Sequence, residues 1–136
     1  MTRILVIDDD ESVCLAIERL LRQHDHVAVL ANSSRLGVEA FDVSIFDMVM
    51  VDIFMPEMDG LETIKDFRNR APTLPIVAMS GFRFRNTMAP TPDFLGMAAE
   101  LGATYCLRKP FGSHQLMAAV NACLGEKSPN SCATEA

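Results

Sequence analysis

Acidic side chains stand at two points where an apolar stretch of the chain ends. Met48 to Val51 is an uninterrupted apolar run that ends in Asp52, and the run from Arg3 to Ile7 ends in Asp8 and Asp9. Runs without polar alternation are typical of strands buried on both faces of a parallel sheet. Because functional groups of open α/β sheets collect at the carboxyl ends of the strands, the three carboxylates are expected to meet there.

Two later strands are predicted to bring further polar groups to the same edge. Ile76 to Met79 is another apolar run and ends in Ser80, while Tyr105 to Leu107 leads through Arg108 to Lys109. Two like charges about 4 Å apart repel by roughly 4 kcal/mol at an effective dielectric of about 20, so neighbouring carboxylates need a counter-charge. A divalent cation supplies it, and oxygen ligands without His or Cys favour Mg²⁺.

A metal ion, an ammonium group and a hydroxyl around one carboxylate are suited to phosphoryl transfer onto that carboxylate. Asp52 is then the predicted nucleophile. Mg²⁺ and Lys109 would neutralise the charge that spreads over the phosphoryl oxygens in the transition state, and Ser80 would bond the remaining oxygen. Taken singly, Ser80 also fits a turn residue, Lys109 a solvated charge and Asp10 a helix cap.

The elements that position these residues alternate between strand and helix. After each apolar run the spacing of apolar residues changes to the period of a helix. Five strands that alternate with five helices predict a doubly wound parallel α/β sheet. The predicted strands span about residues 3–7, 27–31, 48–52, 76–80 and 105–107. The predicted helices span about 11–23, 35–43, 61–71, 93–101 and 114–124, and Ser113 is the predicted cap of the last one.

Length and composition limit the class of protein. A chain of 136 residues is expected to form one domain, here residues 1–125, followed by a polar, disordered tail over residues 126–136. The net charge of −6 argues against a nucleic-acid surface. There is no run of 18 apolar residues and no secretory h-region, so a cytoplasmic protein without membrane partners is expected. The four cysteines form no C-x-x-C pair, which favours reduced, mostly buried thiols.

Four segments, in their order along the chain, resemble the receiver domain of two-component response regulators. Any one of them is weak, but four in the correct strand context are specific, and the resemblance covers roughly residues 3–125. It implies a flavodoxin-like (βα)5 fold with a five-stranded parallel sheet. The segments are Val-Ile-Asp8-Asp9-Asp10, Met-Val-Asp52-Ile-Phe-Met-Pro-Glu-Met-Asp-Gly, Met79-Ser80-Gly81 and Leu-Arg-Lys109-Pro-Phe.

The resemblance also implies the roles of single residues. Asp52 looks like the phosphoacceptor, and the Mg²⁺ ligands would be Asp9 with support from Asp8, together with the backbone carbonyl of Phe54. Ser80 and Lys109 match the two phosphoryl-sensing positions, and the bond between Lys109 and Pro110 is expected to be cis. The family usually has an aromatic residue three positions before the lysine, where this chain has Cys106.

The function that the resemblance implies is signalling by a single-domain, chemotaxis-regulator-like response regulator. It would accept its phosphoryl group from a histidine kinase or a histidine phosphotransfer protein and then bind a downstream protein. It would catalyse only its own phosphorylation and dephosphorylation. One alternative is a receiver cut from a longer DNA-binding regulator. A haloacid-dehalogenase-like phosphatase is another, but it needs an acid two residues after the nucleophile, where Phe54 stands. The third is a pseudo-receiver that binds without phosphorylation, against which all five site residues are present.

Overall fold

The computed structural model describes residues 2–53, 60–81 and 94–125. In these residues strands and helices alternate as predicted, with only small shifts at their ends. Phe54 and the tail over residues 126–136 lie outside the described residues, so the predictions made for them stay predictions. The elements are β1 (Thr2–Ile7), α1 (Glu11–Gln23), β2 (His26–Ala31), α2 (Ser34–Val43), β3 (Met48–Asp52), α3 (Gly60–Arg70), β4 (Ile76–Ser80), α4 (Phe94–Leu101), β5 (Tyr105–Arg108) and α5 (Ser113–Gly125).

The five strands form one parallel sheet in the order β2-β1-β3-β4-β5. The register places Ile7 of β1 beside Val51 of β3, and Ser80 of β4 beside Arg108 of β5. The carboxyl ends of these four strands therefore lie next to one another at one edge of the sheet. The doubly wound α/β architecture and its five parallel strands are confirmed.

Helices cover both faces of the sheet, because side chains alternate along each strand. On one face Val6, Met50 and Leu107 pack with Ile17 of α1 and Leu116 of α5. The opposite face packs against α2, α3 and α4. That second cluster includes Leu5, Ile7, Val49, Val51, Ile64, Phe67, Ala78, Ala98 and Cys106.

The ends of the helices agree with the sequence in part. Asp10 caps α1, since its Oδ1 accepts from two backbone N–H groups of the first turn, at 2.9 and 3.3 Å. Ser113, in contrast, is the first residue of α5 rather than its cap. The side-chain hydrogen bond at the start of α5 comes instead from Gln115, whose Oε1 accepts from the backbone N–H of Gly112 at 2.8 Å. In the described part of the chain no helix is long and apolar enough to cross a membrane.

The cysteines differ among themselves. Cys14 and Cys123 are buried free thiols, as expected. Cys106 is also buried but takes part in a disulfide, so the expectation of reduced thiols is wrong for it. Spacing along the sequence does not limit which cysteines the fold brings together.

Candidate functional site

Three carboxylates meet at the carboxyl edge of the sheet, as the strand ends predicted. One oxygen from each of Asp8, Asp9 and Asp52 lies within 4.8 Å of the others. Asp8 and Asp52 are buried, whereas Asp9 is more exposed. Oxygen ligands of this charge suit a hard divalent cation, and the exposed side leaves room for the waters that Mg²⁺ retains. The donor set therefore fits a metal ion of this class.

Lys109 places its ammonium group between two of these carboxylates. Its Nζ lies 2.5 Å from Asp8 Oδ2 and 3.3 Å from Asp52 Oδ2. Burial alone would lower the pKa of Lys109, but the hydrogen bond to Asp8 and the charge of Asp52 outweigh it and raise the pKa above its ordinary value of 10.5. The lysine is therefore charged at neutral pH. Lys109 is not a solvated surface charge, since only 17% of its side chain is exposed.

The local backbone explains why this lysine points into the site. Lys109 follows β5 directly, and its backbone N–H donates to the carbonyl of Ser80 at 2.7 Å, so the pairing of β4 and β5 continues beyond the last strand residue. The bond between Lys109 and Pro110 is cis, as expected. Lys109 alternates with Arg108 and therefore faces the same side of the sheet as Leu107.

The first turn of α1 fixes the orientation of Asp8. Asp8 Oδ1 accepts from the backbone N–H of Asp10 at 2.9 Å, and Cys14 Sγ donates to the Asp8 carbonyl at 3.3 Å. Burial, and then the negative charge of Asp8, raise the pKa of Cys14 from 9.0 to about 11. The thiol therefore stays protonated and serves as a donor at neutral pH. Sequence reasoning missed this contact, because a single Cys in a helix carries no signal of it.

A close approach of α3 positions Asp52. A Cβ atom added to Gly60 would lie 2.3 Å from the Asp52 carbonyl oxygen and 2.4 Å from Ile53 Cα, distances at which backbone would have to move. Only glycine allows the start of α3 to lie this close to the end of β3. Sequence reasoning missed this contact, because the residues along the chain do not show how closely α3 approaches β3.

Ser80 ends β4 at the same edge of the sheet. It is buried, with 8% of its surface exposed, and its Oγ donates to the carbonyl of Gly81 at 3.4 Å. Ser80 shares its face of the sheet with Ala78, which pairs with Cys106 of β5. Cys106 therefore stands where the family usually has an aromatic ring, as the sequence indicated. Tyr105 packs on the opposite face and does not replace that ring.

A five-stranded parallel sheet with an acidic cluster and a paired lysine at its carboxyl edge is the arrangement expected of the receiver-domain class that the sequence resembles. The comparison with protein families agrees with this class: residues 4–121 match the response regulator receiver domain. The chain belongs to this family. Membership in this family contradicts the alternative prediction of a haloacid-dehalogenase-like phosphatase.

Curated relatives share the domain but are longer proteins. The chain is 34% identical over 121 residues to the transcriptional regulatory protein ZraR of Escherichia coli K12, covering 89% of this chain and 26% of ZraR. It is also 34% identical over 131 residues to the response regulator MprA of a Mycobacterium species, covering 94% of this chain and 53% of MprA. The chain thus spans about a quarter of the length of ZraR and about half of the length of MprA.

Solved structures agree with the fold. A response regulator receiver domain protein from Clostridium thermocellum has a TM-score of 0.81 at 26% identity, over 92% of this chain and 95% of that one. A two-component response regulator from Clostridium difficile also has a TM-score of 0.81 at 26% identity, over 94% and 100% of the two chains. In both comparisons the match covers nearly the whole length of this chain and of the solved structure.

Proposed function

We propose that Asp52 accepts a phosphoryl group from a phosphohistidine on a histidine kinase or histidine phosphotransfer protein in the cytoplasm. Asp8, Asp9 and the backbone carbonyl of Phe54 would hold Mg²⁺ beside it. The phosphorylated domain would then bind a downstream protein. One observation carries the proposal: the buried Asp52 carboxylate lies within 4.8 Å of two further acids and 3.3 Å from a charged ammonium group.

The residues of the site have separate tasks in this reaction. One Asp52 carboxylate oxygen forms a bond to phosphorus as the phosphorus–nitrogen bond breaks, and the bonding electrons return to the imidazole ring of the donor. Mg²⁺, held by Asp8 and Asp9, would supply positive charge that neutralises the phosphoryl group. Lys109 neutralises a further oxygen, and the Ser80 hydroxyl donates to another. The domain acts on itself and turns over no other substrate.

The test uses phosphoramidate, because its phosphorus–nitrogen bond resembles that of phosphohistidine. The wild-type protein is incubated with phosphoramidate and Mg²⁺, and its intact mass is measured. We expect the mass to rise by one phosphoryl group, and we expect no rise in Asp52→Asn or in the presence of a chelator. An equal rise in Asp52→Asn would refute Asp52 as the acceptor. Glu39→Gln, an exposed acid on α2, is the matched control and should gain the same mass as wild type.

A second candidate differs in how the signal leaves the domain. The chain covers 26% of ZraR, whose name describes a transcriptional regulatory protein. In this version the chain is the receiver of a longer regulator, phosphorylation of Asp52 acts on an attached output domain, and the expectation that nucleic acid is not a partner does not apply. Sequencing the transcript on both sides of codons 1–136 separates the two, because a start codon at Met1 together with a stop codon after Ala136 leaves only the single-domain protein.

A further inference from the structure

A groove of about 540 Å³ opens at the acidic site and continues between α1 and the residues that follow β5. This volume lies within the range of about 300–1,000 Å³ found for small-molecule sites. Its charged end is lined by Asp8, Asp9, Asp10, Asp52 and Lys109. Most of the remaining wall is apolar and consists of Val13, Ala16, Ile17, Leu20, Pro110 and Phe111.

The apolar wall is accessible. Ala16 and Pro110 are exposed, and Val13, Leu20 and Phe111 are half-buried. They contribute hydrocarbon surface that a ligand would remove from water. Burial of one methylene group favours binding by about three- to fourfold. The groove therefore has an energetic reason to hold a short hydrocarbon chain.

The charged end determines the other part of such a ligand. Four carboxylates and one ammonium group carry a net charge of −3, which repels anions, and a bound Mg²⁺ would reduce this charge to −1. A phosphate group can then bind through the metal and Lys109. A ligand that fits both ends has a phosphate at one end and an apolar chain at the other.

We propose that this groove binds the leaving group of small phosphodonors and selects acyl phosphates that carry a short hydrocarbon chain. The inference rests on the function proposed above. The Asp52 carboxylate forms a bond to phosphorus while the bond between phosphorus and the acyl oxygen breaks. The electron pair leaves with the carboxylate product, so no proton and no further reactant is needed. The apolar wall holds the chain of the leaving acid.

The first experiment compares phosphorylation rates at low donor concentration for acetyl, propionyl and butyryl phosphate. We expect the second-order rate constant to rise about three- to fourfold for each added methylene. Equal constants, or a fall along the series, would overturn the inference. Failure of the proposed function would look different, since phosphoramidate would then leave Asp52 unmodified as well.

Variants on α1 separate the groove from general effects of helix substitution. Ala16→Leu fills the groove with methylene groups and Leu20→Ala removes part of its wall, so both should lower the ratio of the butyryl to the acetyl rate constant. Leu15→Ala is the matched control, because Leu15 is 52% exposed and lines a different groove with Leu30 and Leu36. The ratio in Leu15→Ala should equal that of wild type.

Binding without reaction gives an independent measurement. In the presence of Mg²⁺, butylphosphonate should bind about 30- to 60-fold more tightly than methylphosphonate, and Ala16→Leu should reduce this difference. NMR titration reports both affinities and the residues that shift. An unchanged difference in Ala16→Leu would overturn the inference. If the variants slow transfer from a phosphorylated protein but leave the acyl-chain ratio intact, the groove is a protein-docking surface and the inference is wrong.

Discussion

Lys109 and Asp8, which are 101 positions apart in the sequence, form an ion pair with 2.5 Å between Nζ and Oδ2. The Asp8 side chain is fully buried, so its charge needs a partner inside the protein. The same carboxylate belongs to the cluster that fits a metal ion. Lys109 therefore stabilises the acidic site and at the same time competes with a cation for one of its ligands.

Removing this lysine should change metal binding and phosphorylation in opposite directions. Charges of +1 and +2 about 5 Å apart repel by roughly 1.7 kcal/mol even at the dielectric of water, so Lys109→Met should bind Mg²⁺ about tenfold more tightly. Its phosphorylation rate should fall by about a hundredfold, because a charge that stabilises the transition state is lost. Calorimetric titration and intact mass measure the two effects. Lys65→Met, on the exposed face of α3, should change neither. Weaker Mg²⁺ binding in Lys109→Met would disprove the competition.

Alkaline pH should destabilise the fold through its buried thiols. Burial raises the pKa of Cys123 from 9.0 to about 11, so between these values the folded protein holds a proton that the unfolded chain has released. The free energy of unfolding should then fall with rising pH, by about 1.4 kcal/mol per pH unit for one fully protonated thiol.

The variant Cys123→Ala isolates this contribution. Urea denaturation of wild type and variant at pH 7 gives the effect of the smaller side chain alone, since the thiol is then protonated in both states. From pH 9 to pH 11 the stability of the variant should fall less steeply. If the free energy of unfolding fell equally with pH in wild type and variant over this range, the Cys123 thiol would have the same pKa in the folded and the unfolded protein.

A methyl group at position 60 should disturb the site. Gly60→Ala would place Cβ against the Asp52 carbonyl, so we expect a loss of about 1–3 kcal/mol in the free energy of unfolding, together with weaker Mg²⁺ binding. Urea denaturation and calorimetry measure these quantities. Gly112→Ala is the matched control, because its added Cβ would meet only Gln115 Oε1, at 3.9 Å. Equal stability of the two variants would show that the backbone at the end of β3 yields without penalty.

Arg68 should stabilise the ends of α3 and α4 together. Its guanidinium donates to the carbonyls of Ala71, Pro72 and Gly102, with the shortest contact 2.7 Å to Gly102. Arg68→Ala leaves these acceptors without that partner, and we expect a loss of about 1–3 kcal/mol in urea denaturation. Arg22→Ala breaks only an exposed pair with Glu18, so its loss should stay below about 1 kcal/mol. Similar losses for the two arginines would contradict the assigned role of Arg68.

The sequence alone determined the elements and the chemical groups of the site. Apolar runs without alternation identified the buried strands, and the polar residue that ended each run identified Asp8, Asp52, Ser80 and Lys109. This worked because strand and helix differ in the spacing of apolar residues, a local property that can be counted along the chain. The same local signals predicted the cap at Asp10.

The tertiary structure decided which groups touch. The sequence of an apolar strand does not show which strand pairs with it. The order β2-β1-β3-β4-β5, which places Asp8 beside Asp52, is therefore known only from the packing of the folded chain. The ion pair between Lys109 and Asp8, the approach of Gly60 to Asp52 and the apolar wall beside the acids depend on the same packing. These contacts join residues far apart in the sequence. Their distances follow from how helices and strands fit against each other in three dimensions, which residue spacing does not encode.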